Sequence, residues 1–119
     1  MDKREKEELI KDLKEEEIEI RKTPLPKENQ VIGIIESRLG GPRMRVKCFD
    51  GKTRIGRVPG RLKRKLWVKE GDYVLCELWE LQGDERCDII YKYTKTQVNH
   101  LKSKNIIKEV EETFFEEEF

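Results

Sequence analysis

Long apolar runs are missing from this chain of 119 residues. No stretch approaches the roughly 18 consecutive apolar residues that a membrane span needs. Charge begins at Asp2, so no apolar segment serves as a secretory signal, and the expectation is a cytoplasmic protein without a membrane partner. Hydrophobic residues make up 35% of the chain and concentrate between Val31 and Tyr93. That suffices for one small core of roughly 65 residues, near the lower limit for a domain that folds unaided. Cysteine is scarce: Cys48, Cys76 and Cys87 are odd in number, lie far apart and form no C-x-x-C pair. This supports neither a zinc knuckle nor a redox motif, and the expectation is that all three thiols are structural or incidental. Histidine is scarcer still. His100 stands alone, with no cysteine or second histidine beside it to make a metal site and no spacing that marks a catalytic triad. Gly40-Gly41-Pro42 has neither the lysine nor the spacing of a phosphate-cradling loop. The expectation is therefore no catalytic residue, no metal, no cofactor and no enzyme.

Charge, by contrast, is abundant: Asp, Glu, Lys and Arg make up 43% of the residues, yet the net charge is only +1. The balance is not local. From Arg38 to Lys69 there are twelve Lys or Arg against one acid, Asp50, a net of +11, so the rest of the chain carries −10. A solvated charged face would intersperse acids, as residues 1–22 do with nine acids against seven bases. A basic band of this purity is the electrostatic footprint of nucleic-acid binding.

The band falls on alternating strands. Val31–Ile35 reads as a first strand, apolar on both faces, with Gly33 marking a bend or bulge where one strand serves two sides of a small barrel. Arg43–Phe49 alternates basic with apolar residues, Asp50-Gly51 predicts a type I′ hairpin turn, and Lys52–Val58 follows as the third strand. Arg54 and Arg57 share a face only if a bulge near Gly56 shifts the register. Arg61–Trp67 makes at most two helical turns, with Leu62 and Leu66 inward and the cations outward. Tyr73–Leu81 and Cys87–Tyr93 are the fourth and fifth strands. Three meander strands, a short helix and two more strands are the order of an OB-fold, a mostly β, five-stranded Greek-key barrel. Pro24 and Pro26 set a boundary, dividing the chain into a charged N-terminal tail (1–26), the barrel (27–93), a C-terminal helical extension (94–107) with Thr96 as a helix cap, and an acidic-aromatic tail (108–119). The N-terminal tail reads either as a frayed helix or disorder, or as a partner-docking helix; the C-terminal tail either as disorder or as a segment that docks Phe114, Phe115 and Phe119 in a partner's groove.

The candidate interface follows. Arg43, Arg45, Lys47, Lys52, Arg54 and Arg57 form a phosphate-binding sheet surface, and Arg61, Lys63, Arg64 and Lys65 a clamp beside it. Single-stranded or irregular RNA fits better than duplex DNA, because no helix is long enough to fill a major groove. Of the aromatics Trp67, Trp79, Tyr73, Tyr91 and Tyr93, Trp67 is the leading base-stacking candidate because it follows Arg64-Lys65.

Arg43–Cys48 leading into Asp50–Arg54, then Gly56–Val68, Glu70-Gly71-Asp72 and Asp88–Val98, together resemble archaeal translation initiation factor 1A and its eukaryotic relatives over about Lys27 to Leu101. The resemblance implies an OB-fold with a helical extension. It implies binding to small-subunit ribosomal RNA at the decoding (A) site, help in placing initiator tRNA in the P site, support for subunit joining, and no enzymatic activity. In eukaryotic relatives an acidic, hydrophobic C-terminal tail contacts the initiation GTPase, and the end of this chain is similar in character. The mixed charge of residues 1–22 departs from the basic N-terminal tail of those relatives. The expected factor is a monomer. Two other readings use the same residues: a general single-stranded RNA chaperone of the cold-shock type, and an adaptor working through its acidic tails.

Overall fold

Alternation of basic and apolar residues from Arg43 builds the hairpin around which the barrel closes. In a computed structural model, which describes residues 2–107 apart from the side chains of 12 and 13, helix α1 (Lys3–Arg21) precedes strands β1 (Gln30–Gly40), β2 (Arg43–Cys48), β3 (Thr53–Arg57), β4 (Tyr73–Leu78) and β5 (Arg86–Lys92), and helix α2 (Lys95–Ser103) follows. The strands form a closed barrel in the order β1-β2-β3-β5-β4, the expected OB-fold. All ladders are antiparallel except β3–β5, which is parallel and only three residue pairs long.

Strand β1 pairs with β2 on one edge and β4 on the other, and Gly33 belongs to both ladders, opposite Cys48 and Val74. Its bulges lie between Ile35 and Ser37 and between Arg38 and Gly40, not at Gly33. The glycine is there because the barrel leaves no space: a Cβ would sit 2.6 Å from Val46 Cγ1 and 3.1 Å from the Lys47 carbonyl oxygen. Gly33→Ala is expected to cost about 1–3 kcal/mol by overpacking, read as a lower urea midpoint with unchanged slope; an unchanged midpoint would show that the β2 backbone yields.

The β2–β3 turn departs from the expected type I′. Gly51 has φ +90°, but Asp50 is not in the left-handed region. The Gly51 N–H donates to the Cys48 carbonyl at 3.1 Å, and Cys48 N–H to the Lys52 carbonyl at 2.9 Å. This is a three-residue loop with a glycine bulge, which frees Asp50 to turn its side chain back over the barrel. The expected bulge near Gly56 is also absent: β2 and β3 pair in unbroken register. The helix expected over Arg61–Trp67 is shorter, a 3₁₀ turn at Gly60–Leu62 closed by Leu66 N–H on the Leu62 carbonyl. Strand β4 ends three residues early, and Leu81 is exposed beyond it.

The core inside the barrel includes Ile35, Val46, Val74 and Ile89, together with the three free thiols Cys48, Cys76 and Cys87. A second cluster joins the barrel's outer wall (Ile32, Leu75, Tyr93) to α2 through Val98, Leu101 and Ile107. Helix α2 is capped by Thr94 rather than Thr96, because Gln97 stands three residues after Thr94 and completes a capping box. Gln97 is 2% exposed and fully used. Its Oε1 accepts from Tyr91 Oη and Thr94 N, and its Nε2 donates to the Glu19 carbonyl at 3.2 Å. Tyr93 Oη donates to the Pro24 carbonyl at 2.6 Å, so the end of α1 and the proline segment are tied to α2 and β5. Helix α1 is an ordered 19-residue helix with a capping box between Asp2 and Glu5, longer than the sparse apolar pattern suggests.

Candidate nucleic-acid interface

Strand periodicity decides which cations reach solvent. On β2, Val46 and Cys48 point into the barrel while Arg43, Arg45 and Lys47 point out. On β3, Thr53, Ile55 and Arg57 share that outer face, and Arg54 and Gly56 face inward. Arg43 stands directly opposite Arg57 in the ladder, and Arg45 opposite Ile55. Like charges facing each other across strands are destabilising in isolation. Arg57 is partly compensated by Asp88, at 3.5 Å. No ion pair involves Arg43 or Arg45 among the described residues.

Arg54 corrects the expected site. It is 2% exposed and lies inside the barrel mouth, not on the phosphate surface. Its Nη1 and Nη2 donate to the two carboxylate oxygens of Asp50 at 3.0 and 2.7 Å, and its Nε donates to the Gly83 carbonyl at 2.6 Å. Burial alone would push the Asp50 carboxyl up. The Arg54 hydrogen bonds, the Lys52 N–H and the charges of both residues outweigh it and hold the carboxyl below its ordinary range. Lys52 extends the same clamp, its Nζ 2.6 Å from Asp84. Together these contacts pin the β2–β3 loop to the β4–β5 loop, so Lys52 is half engaged and Arg54 is structural.

The second group of cations lies in the β3–β4 connection. Arg61, Lys63, Arg64 and Lys65 are all exposed, and none has an ion pair among the described residues. Leu66 anchors the turn by packing on the barrel core. Trp67 is 75% exposed, and its backbone carbonyl accepts from Lys92 Nζ. A large indole in water beside four free cations is a surface prepared for a base and its phosphates. The three tyrosines are committed to packing within the protein. Tyr93 is buried, and Tyr91 packs edge-on against it with ring centroids 5.1 Å apart. Tyr73 stacks on Phe49. The Phe114, Phe115 and Phe119 docking segment lies outside the described residues. Among the described residues no group of His, Cys, Asp or Glu is placed to hold a metal ion, and no helix is long and apolar enough to cross a membrane.

Residues 20–118 match the family described as translation initiation factor 1A / IF-1. Curated relatives named translation initiation factor 1A include that of Methanococcus aeolicus, 53% identical over 88 residues covering 74% of this chain and 84% of the relative. That of Methanopyrus kandleri is 44% identical over 90 residues, covering 76% and 80%. A solution structure of translation initiation factor IF-1 from the Wolbachia endosymbiont strain TRS of Brugia malayi covers 60% of this chain and 85% of its own, with a TM-score of 0.47 and 26% identity.

Proposed function

Since the chain belongs to the translation initiation factor 1A / IF-1 family and so has its role in translation initiation, we propose that it binds the small ribosomal subunit at the decoding (A) site, helps place initiator tRNA in the P site and supports subunit joining. The observation that carries this reading is the solvent-exposed set Arg61, Lys63, Arg64, Lys65 and Trp67, gathered in one connection and without ion pairs among the described residues. Cations already paired with carboxylates have little attraction left for phosphate. Unpaired ones gain phosphate contacts and release condensed counterions. Arg43, Arg45, Lys47 and Arg57 add a second basic surface on the outer face of β2 and β3, where the Arg43–Arg57 opposition is relieved by a polyanion.

The protein acts stoichiometrically, as a cytoplasmic monomer without cofactor, catalytic residue or metal. It meets initiator tRNA only indirectly. The tail from 108 to 119 reaches the initiation GTPase through Phe114, Phe115 and Phe119. The experiment is equilibrium binding of labelled protein to purified small ribosomal subunits across a salt series, with a decoding-site ligand as competitor. Saturation near one protein per subunit, displacement by the ligand and weakening with salt are expected. Binding that never saturates and ignores the competitor would replace this reading with a general single-stranded RNA chaperone.

A further inference from the structure

Trp79 has no role in the interface described above, yet its surroundings are unusual. It follows the last residue of β4 and is half-buried. Its indole Nε1 donates to Asp88 Oδ1 at 3.0 Å, which fixes the plane of the ring. The Cζ atoms of Arg57 and Arg86 lie 5.0 and 5.9 Å from the ring centroid. Beside the ring is a cavity of about 220 Å³, lined by Pro42, Arg43, Gly56, Arg57, Trp79 and Arg86 among others.

Three arginines therefore line one small hollow with an indole in its wall, two of them with guanidinium groups against that indole. Asp88, which both Trp79 and Arg57 engage, offsets one of those charges and leaves an excess of positive charge. An apolar ligand alone would leave that excess unmet, and a bare anion would leave the indole and proline surface wet. A flat ring carrying a phosphate satisfies both. Guanidinium groups laid on an indole also present planar, weakly hydrated faces of their own, so the layer of arginine and tryptophan is a stacking platform. The volume suits one base, not a duplex or a peptide helix.

We propose that this cavity takes one unstacked base of single-stranded RNA, laid on the layer formed by Trp79 and its arginines, with the adjoining phosphate on Arg43 and Arg86. The inference rests on the reading of the chain as an RNA-binding initiation factor, and adds to it a base-contacting site on the barrel wall separate from Trp67.

The test compares a short oligoadenylate with an abasic oligoribonucleotide of the same length. The wild type should bind the oligoadenylate roughly tenfold more tightly or better, as expected for base stacking on an aromatic side chain. Trp79→Ala should lose a severalfold part of that preference, leaving the share that Trp67 supplies, while keeping its affinity for the abasic strand, and Trp79→Phe should retain much of it. Where Trp79→Ala folds poorly, the Trp67→Phe protein supplies the readout, because Trp79 is then the one indole of the two in the chain that remains. Its emission should be quenched by oligoadenylate and not by the abasic strand. A preference that Trp79→Ala leaves undiminished, no preference in the wild type, or no quenching by bound oligoadenylate overturns the proposal. Failure of the wild type to saturate small subunits strikes the proposed function instead, so the two failures are distinguishable.

Discussion

Asp50→Ala is expected to destabilise the protein by about 3–5 kcal/mol, more than Arg54→Met, although Asp50 is the more exposed partner. The order follows from which charge each change strands. The Arg54 side chain is 1% exposed and that of Asp50 36%. Removing the carboxylate leaves a guanidinium cation inside the barrel mouth, where it can neither deprotonate nor reach water. Removing the guanidinium leaves a carboxylate that water can still reach, an unpaired Gly83 carbonyl and a methionine of adequate volume, at a cost of about 2–3 kcal/mol. Combining the two should recover part of the sum, because the second change removes the charge that the first stranded. Arg54→Lys should not rescue, because one ammonium cannot bond both Asp50 oxygens and the Gly83 carbonyl in that geometry. Denaturant midpoints of the wild type and these four variants measure this, and equal losses in Asp50→Ala and Arg54→Met would sink it. The pair also sets a pH dependence. The folded-state pKa of Asp50 is depressed, so its contribution is fully present above the unfolded value of about 4 and is lost as pH falls through the folded one. Arg54→Met should therefore show a shallower acid limb than the wild type.

The second large effect is on binding, with the fold untouched. Reversing Arg64 and Lys65 to Glu should weaken small-subunit binding by roughly a hundredfold at physiological salt and flatten the log–log salt dependence by roughly 1–2 units. Both side chains are exposed and neither is in an ion pair among the described residues, so stability should change by no more than about 0.5 kcal/mol. Trp67→Ala gives the complementary result: a loss of roughly fivefold or more from stacking, with the salt slope unchanged. A double reversal that binds as well as the wild type would remove the β3–β4 turn from the interface.

Much of this is legible in the sequence. Alternation along Arg43–Cys48 correctly separates outward cations from inward apolar residues, and the order of strands specifies the barrel. Arg54 departs from the expected surface for a specific reason. Strict alternation already puts Arg54 and Gly56 on the face opposite Arg57. Expecting a bulge there amounted to assuming that an arginine cannot face a barrel interior. It can, because the turn gives Asp50 a backbone that folds its carboxylate over the mouth, and Gly83 arrives from a loop nearly thirty residues away. No local pattern signals a contact of that range. Trp79 is among the sequence's candidate aromatics, but its setting is not legible there: its partners Arg57 and Arg86 come from β3 and β5, which meet only through the barrel's short parallel seam. Thr94 was readable, since the Thr-x-x-Gln box was in the sequence and Thr96 merely lay closer to the expected helix centre.

The anchoring of α1 has a consequence for how that helix breathes. Its last turn is held through the Glu19 carbonyl and the Pro24 segment, whereas residues from Asp2 to Ile18 whose side chains are described are exposed. At 1.5 Å per residue the helix reaches about 28 Å, a spar clamped at one end. Amides near the clamp share the protection of α2 against hydrogen exchange, while those toward Asp2 are protected only by the capping box and the helix–coil equilibrium of a charged segment. Hydrogen exchange is therefore expected to be fastest toward Asp2 and slowest beside the Glu19 anchor, and the difference to shift with temperature and salt.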